Sequence, residues 1–309
     1  MRVLSLFDGI SCGQQALDRL GIKPEKYYSS EVDKYAISIT QKNYPDTIQL
    51  GDVTKWREWD IDWASIDLLI GGSPCQGFSM AGKQLAFDDP RSALFFVFVD
   101  IRNHIQKFNP DVKFLLENVR MKKNHLAVIT EYMGVEPVMI NSALVSAQNR
   151  VRFYWANWEI TQPEDRGVLL KDILETGVNA DRDKSYCIDA NYYKGGESKV
   201  KVLKLAGYAD IKGHDSIKRV YSDEGKAPTL TTMGGGNTEP KVALQELTWR
   251  KLSCLECERL QTVEDNYTAQ GVNDKDEVVP ISNTQRYKTL GNGWTVEVIK
   301  HILGGIGDE

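Results

Sequence analysis

Five times before residue 120 a short apolar run ends on a polar, chemically able side chain. RVLSLF leads to Asp8, YYSS to Glu31, IQLG to Asp52, DLLIGGSP to Cys75 and KFLL to Glu117. Helical patterns separate the runs: QQALDRL closed by Gly21, 34–43 stopped before Pro45, and the long apolar stretch 93–108. Short apolar runs alternating with helices predict βαβ units and a mostly parallel sheet, an α/β fold. Ligands of such sheets bind at the carboxyl ends of the strands. The alternation therefore places all five side chains on one edge of one sheet.

The texture changes after about residue 160. Residues 181–247 carry Lys, Gly, Ser, Thr and Tyr in patches such as ANYYKGGESK and APTLTTMGGGNTEPK, and predict a smaller, loop-rich, mainly β or irregular region. A helix is expected over 247–260, a polar linker or loop over 264–284, and a final apolar helix, VEVIKHIL, after GNGW. At 41% hydrophobic and 26% charged residues the chain has a globular composition. No apolar run approaches the roughly 18–20 residues of a membrane span, and the N-terminus shows no long apolar signal segment. Five Cys is few and odd for 309 residues, which argues against a disulfide framework and for a reducing, intracellular setting. A net charge of -5 disfavours nonspecific coating of nucleic acid but leaves room for a local basic groove.

FDGISCG (7–13) puts two glycines at a strand-to-helix turn, where close backbone approach needs them. Its spacing is not the G-x-G-x-x-G of dinucleotide binders, and Asp8 would repel a pyrophosphate. Glu31 is placed for ribose hydroxyls, or is simply solvated. Asp52 reads equally as an acceptor for an adenine amino group and as a helix N-cap, and the two are compatible. The sharpest feature is GGSPCQGFS (71–79). A lone Cys is usually a buried small hydrophobe, but Cys75 follows a buried strand in a Gly/Ser/Pro loop, which favours a nucleophile acting as its thiolate. Cys12 reads as packing, and Cys187 has no visible partner. Cys254 and Cys257 lack the second pair that a zinc site needs and read as buried helix positions, so no metal is expected. Glu117 and Asn118 end a strand, where a carboxyl could serve a ring nitrogen as general acid. QNRVRFYW (148–155) reads as one strand with Gln148, Arg150 and Arg152 on one face, toward a site or toward solvent at a sheet edge.

Taken in order, FDGISCG, SEV, GDV, GGSPCQGFSMAGK, LLENV, QNRVRFYW, RKLSCLECERLQ and YKTLGNGWTVEV resemble the motifs of the C5-cytosine DNA methyltransferases, of compact bacterial or phage type. Several are also similar to the catalytic domain of the animal de novo enzymes. The resemblance spans the chain apart from about 160–247. It implies a Rossmann-like domain that binds S-adenosyl-L-methionine and releases S-adenosyl-L-homocysteine. Phe7, Asp8, Gly9, Ile10, Ser11 and Cys12 would surround the methionine and sugar, Glu31 and Val32 the ribose, and Asp52 and Val53 the adenine. Pro74 and Leu94 would line the pocket, and Asn292, Gly293 and Trp294 would close it. Catalysis would fall to Cys75, Glu117, Arg150, Arg152 and Gln148. Cys75 would attack C6 of a flipped cytosine, Glu117 would bind N3 and the amino group, Arg152 the base oxygen, and Arg150 would support Cys75 and Glu117.

The domain boundaries that follow are 1–162 plus 285–309 for the cofactor-binding catalytic domain and 163–284 for the target-recognition domain and hinge. The implied partner is double-stranded DNA, with a cognate restriction endonuclease acting separately as a further one. The protein is expected to be a monomer in the cytoplasm of a bacterial or phage-infected cell. Three other readings compete. A tRNA cytosine methyltransferase shares the nucleophile and cofactor site, but the recognition stretch argues for duplex DNA. A silent binding module is disfavoured by intact Cys75, Glu117 and Arg152. A nicotinamide oxidoreductase lacks the glycine fingerprint.

Overall fold

The computed structural model describes residues 1–73, 93–175, 205–209, 211–223, 225–230, 239–244 and 248–307. The chain opens with β1 (Arg2–Leu6), α1 (Cys12–Arg19), β2 (Lys26–Ser30), α2 (Lys34–Asn43), β3 (Ile48–Gln49) and β4 (Leu68–Gly71). It continues with α3 (Ala93–Gln106), β5 (Lys113–Val119), α4 (Lys123–Met133), β6 (Val138–Asn141), β7 (Gln148–Asn149) and β8 (Val151–Ala156).

Seven of these strands form one sheet in the order β3-β2-β1-β4-β5-β8-β6. Pairing is parallel from β3 through β5, and β8 runs antiparallel between β5 and β6. Side chains alternate across the sheet. Val3 enters the core on one face with Leu17 of α1 and Ile39 of α2, while Leu4 and Leu6 enter the other with Phe95 and Phe98 of α3 and Ile129 of α4. Both faces are covered by helices, which is why the strands read as continuous apolar runs. The chain leaves β1 toward β2 and β3 on one side and returns to β4 and β5 on the other. The crevice between the carboxyl ends of β1 and β4 is thus the topological switch point.

The later elements are β9 (Leu205–Tyr208), α5 (Asp215–Lys218), β10 (Arg219–Ser222), β11 (Ala227–Pro228), β12 (Lys241–Leu244), β13 (Thr248–Lys251) and α6 (Cys254–Leu260). They are followed by β14 (Gln270–Val272), β15 (Val278–Pro280), α7 (Asn283–Asn292) and α8 (Val296–Gly304). A second sheet runs β13-β12-β10-β9. Helix α8 packs on α1, and Arg19 Nη1 meets Glu297 Oε1 at 2.7 Å between them.

Three expectations about local structure need correction. The helix expected over 247–260 begins only at Cys254, and Thr248–Lys251 is a strand. A capping box sets the start: Ser253 Oγ accepts from the Glu256 N–H at 3.2 Å, and Glu256 Oε2 accepts from the Ser253 N–H at 2.9 Å. The expected linker 264–284 holds the hairpin β14–β15. Its turn is built by Asn273 Oδ1, which accepts from the N–H groups of Lys275 and Glu277, and β14 is pinned to α2 by Ser38 Oγ donating to the Val272 carbonyl at 2.6 Å. Finally, QNRVRFYW is not one strand. Gln148–Asn149 pairs with Ala227–Pro228, and only Val151–Ala156 joins the main sheet. The chain changes strand partner at Arg150.

Candidate active site

The turn after β1 is built from backbone that side chains seldom adopt. Phe7, Gly9 and Ser11 have φ of 57°, 60° and 54°. A positive φ at a non-glycine residue is uncommon and persists where the surroundings over-determine it. Here Asp8 does that. Its carboxylate is buried and accepts from Ser5 Oγ at 2.5 Å, from Tyr27 OH at 2.8 Å and from Ser11 Oγ. Burial pushes the Asp8 carboxyl above its ordinary value, against the lowering effect of the three hydroxyls. The consequence is a rigid turn that sends Asp8, Ile10, Ser11 and Cys12 inward and leaves Phe7 and Gly9 on a cleft. The Cys12 thiol, desolvated at the start of α1, is pushed up to about 12.

The cleft has a volume of about 390 Å³ and lies at the switch point, with Phe7, Gly9, Glu31, Asp52, Leu94 and Asn292 along its walls. This is within the size range of small-molecule sites. Glu31 is fixed by three backbone donors. The Gly9 N–H donates to Oε2 at 2.8 Å, and the N–H groups of Val32 and Asp33 donate to Oε1 at 2.7 and 2.8 Å. Val32 projects beside it, 71% exposed. Asp52 caps the following 3₁₀ turn through Thr54, whose N–H and Oγ1 both donate at 2.9 Å, and these bonds hold its carboxyl below its usual value. It also lines the cleft. Val53 begins that turn and is buried.

The far end of the same cleft holds Gly72, Ser73, Glu117, Arg150 and Arg152. Glu117 lies two residues before the end of β5, opposite Tyr154 of the antiparallel β8. Its Oε1 forms an ion pair with Arg152 Nε at 2.9 Å, and its Oε2 accepts from Trp294 Nε1 at 3.1 Å. Asn118 Nδ2 donates to Ser73 Oγ at 3.2 Å, tying the end of β5 to the residue just before Pro74 and Cys75. Pro74, Cys75 and Cys187 lie outside the described residues.

Of the three polar residues of QNRVRFYW, Gln148 and Arg150 both bind Leu230, while Arg152 pairs with Glu117. Arg150 is buried, and its guanidinium donates to the carbonyls of Leu230, Gly291 and Gly293 at 3.3, 3.4 and 2.9 Å. Desolvation lowers it to about 10. Gln148 is wholly buried: Nε2 donates to Leu260 O and Gln261 Oε1, both at 3.1 Å, and Oε1 accepts from the Leu230 N–H at 2.8 Å. Arg150 and Gln148 thus fasten the start of α8's approach and residue 230 to the core. Cys254 and Cys257 are buried helix positions with thiols raised by burial. No group of three or more metal-ligating side chains occurs among the described residues.

Sequence reasoning missed Gly72 and Ser73 as part of the site, although GGSPC contains both. It also missed the contact of Trp294 with Glu117, for which no local signal exists.

A mostly parallel sheet in this order, with its cleft at the switch point and a backbone-anchored Glu after β2, defines a Rossmann-like fold of the kind methyltransferases use. The chain belongs to the C-5 cytosine-specific DNA methylase family, whose family model matches residues 1–308. It is 30% identical over 335 residues to the type II methyltransferase M1.ScrFI of Lactococcus lactis subsp. cremoris, covering 97% of this chain and 76% of that one. It is 28% identical over 439 residues to the orphan methyltransferase M.SPBetaI of Bacillus phage SPbeta, covering 98% and 96% of the two chains. Among solved structures, the methyltransferase EhMeth of Entamoeba histolytica matches in fold with a TM-score of 0.69 at 14% identity, over 100% of this chain and 98% of that one. The protein is accordingly a DNA cytosine-5 methyltransferase. No helix among the described residues is long and apolar enough to cross a membrane.

Proposed function

We propose that the chain methylates C5 of a flipped cytosine within a short duplex DNA sequence, using S-adenosyl-L-methionine and a transient bond between Cys75 and C6. The observation that carries this reading is the single cleft joining Glu31 and Asp52 at one end to Glu117 and Arg152 at the other.

The residues present fit the cofactor. Glu31 is an acceptor held in place by three N–H groups, suited to a pair of ribose hydroxyls. Asp52 offers acceptor oxygens for an amino group, and Phe7, Val32 and Leu94 supply apolar surface. Asn292 lies on the same wall. When bound, the cofactor supplies an electrophilic methyl group on a sulfonium.

C5 of cytosine is a weak nucleophile. Addition of the Cys75 thiolate to C6 makes C5 enamine-like, and Glu117 favours that addition by engaging N3 and the amino group. Arg152 keeps the Glu117 carboxylate in place and is itself near enough to the cleft to meet the base oxygen. After C5 takes the methyl group, loss of its proton and departure of the Cys75 sulfur restore the aromatic ring. The base must leave the helix for this chemistry, at a cost of a few kcal/mol. Residues 1–162 with 285–309 would hold the cofactor and base, and 163–284 would supply target recognition and the hinge. Gln148 and Arg150, which bind residue 230, join the two parts.

The test is Cys75→Ala together with a suicide substrate. The variant should lose methyl transfer to plasmid DNA while binding cofactor as the parent does. Duplex DNA with 5-fluorocytosine at the target should trap a covalent adduct on the parent alone, since fluorine cannot leave as a proton. Bisulfite sequencing of plasmid from expressing cells identifies the target first. An active Cys75→Ala enzyme would refute the mechanism.

A further inference from the structure

Trp294 follows the last polar motif of the chain, yet its indole is buried against Glu117 rather than spread along the cleft wall. Nε1 donates to Glu117 Oε2 at 3.1 Å, across 177 positions of sequence. The other oxygen, Oε1, is held by Arg152 Nε at 2.9 Å. Gly72 is packed against this pair so closely that a Cβ there would sit 2.8 Å from Oε2 and 2.9 Å from Nε1. A glutamate side chain has three rotatable bonds, and a single ion pair leaves the carboxylate free to swing about the bonded oxygen. A hydrogen bond to Oε2 from Trp294 beside the ion pair at Oε1 restricts that swing. The indole N–H donates only, so it selects an unprotonated carboxylate oxygen at Oε2.

We propose that Trp294 is a positioning residue for Glu117: with Arg152 it holds the carboxylate in the one orientation from which it can meet a cytosine in the cleft. Gly72 is glycine because a side chain there would push the pair apart. The inference rests on the reading of Glu117 as the group that binds the base. It also separates two roles for Trp294, because the sequence motif implies only a wall of the cofactor pocket.

Trp294→Phe keeps an aromatic ring and removes the donor. Methyl transfer from tritiated S-adenosyl-L-methionine to unmethylated plasmid DNA should lose about tenfold in kcat, with the cofactor KM unchanged within about twofold, as expected for an interaction needed in the transition state alone. In a Glu117→Ala background the same substitution should have no further effect on single-turnover rate. Gly72→Ala should give the same kcat-only loss with the indole still present, and it decides the matter if Trp294→Phe fails to fold. An unchanged kcat with a raised cofactor KM would overturn the inference and return Trp294 to the cofactor wall. Independent, additive effects of Trp294→Phe and Glu117→Ala would overturn it equally. If Glu117→Ala alone retains full turnover, the reading of Glu117 as the base-binding group fails, and this inference with it.

Discussion

The backbone N–H of Gly9 donates to Glu31 Oε2 at 2.8 Å, joining the turn after β1 to the end of β2. The bond depends on Gly9 at φ 60°, which turns the amide toward the neighbouring strand. It places a carboxylate on the cleft wall, held by backbone N–H groups rather than by a side chain among the described residues.

Glu31 and Glu117 should therefore fail differently. Glu31→Ala is expected to raise the cofactor KM about tenfold and change kcat much less, because ribose contacts are made equally in ground and transition states. Glu117→Gln should lower kcat by about 100-fold with little change in cofactor KM. Steady-state kinetics on plasmid DNA check both. Interchanged signatures would mean that the cofactor and base ends of the cleft have been exchanged.

Asp8 should matter to folding more than to cofactor contact. Asp8→Ala leaves the hydroxyls of Ser5, Ser11 and Tyr27 without their buried acceptor. A loss of about 2–3 kcal/mol in unfolding free energy is expected. Denaturant unfolding measures it.

Arg150 should not be replaceable by Lys. Its planar guanidinium reaches the carbonyls of Leu230, Gly291 and Gly293 at once, a geometry that a point ammonium cannot reproduce. Both Arg150→Lys and Arg150→Ala are expected to lower stability, the latter by about 3 kcal/mol, since it strands buried acceptors. Thermal unfolding of the two variants tests this. A stable, fully active Lys variant would contradict it.

Stability should fall in acid through Glu297. Burial acts to raise its carboxyl, but the hydrogen bonds from Arg19 and Arg166 prevail and hold it below its ordinary 4.5. A group depressed in the folded state stabilises above its unfolded pKa, and that contribution is lost as pH falls through the folded value. Arg19→Met should cost about 1 kcal/mol at pH 7, because the pair is partly solvated. The gap between variant and parent should close as pH drops from 4.5 through the depressed value. A gap that stays constant in acid would show that the loss comes from packing of the Arg19 stem.

Much of the architecture is legible locally. Apolar runs that lead to Asp8, Glu31 and Glu117 encode buried parallel strands, because a strand covered on both faces cannot alternate with polar residues, whereas the run before Asp52 is a short edge strand with Ile48 exposed. The strand ends then put these groups at one edge, and the motif order leads to the family. Local reading fails where a signal was present but weak against composition. Ser253 and Glu256 spell a capping box, and Asn273 spells a turn, yet both sit in stretches whose overall texture suggested a longer helix and a linker.

Other features belong to the tertiary structure alone. That Arg152 rather than Arg150 meets Glu117 depends on the chain changing sheets at residue 150. That Asp8 faces hydroxyls in the core depends on the packing of Tyr27 from the next strand. That Trp294 meets Glu117 depends on α7 and α8 closing back over the sheet from the far end of the chain. Periodicity records whether a position is buried, since burial repeats with the local geometry of a strand or helix. It does not record which distant group shares that burial, because register and packing between elements are settled only when the whole core closes.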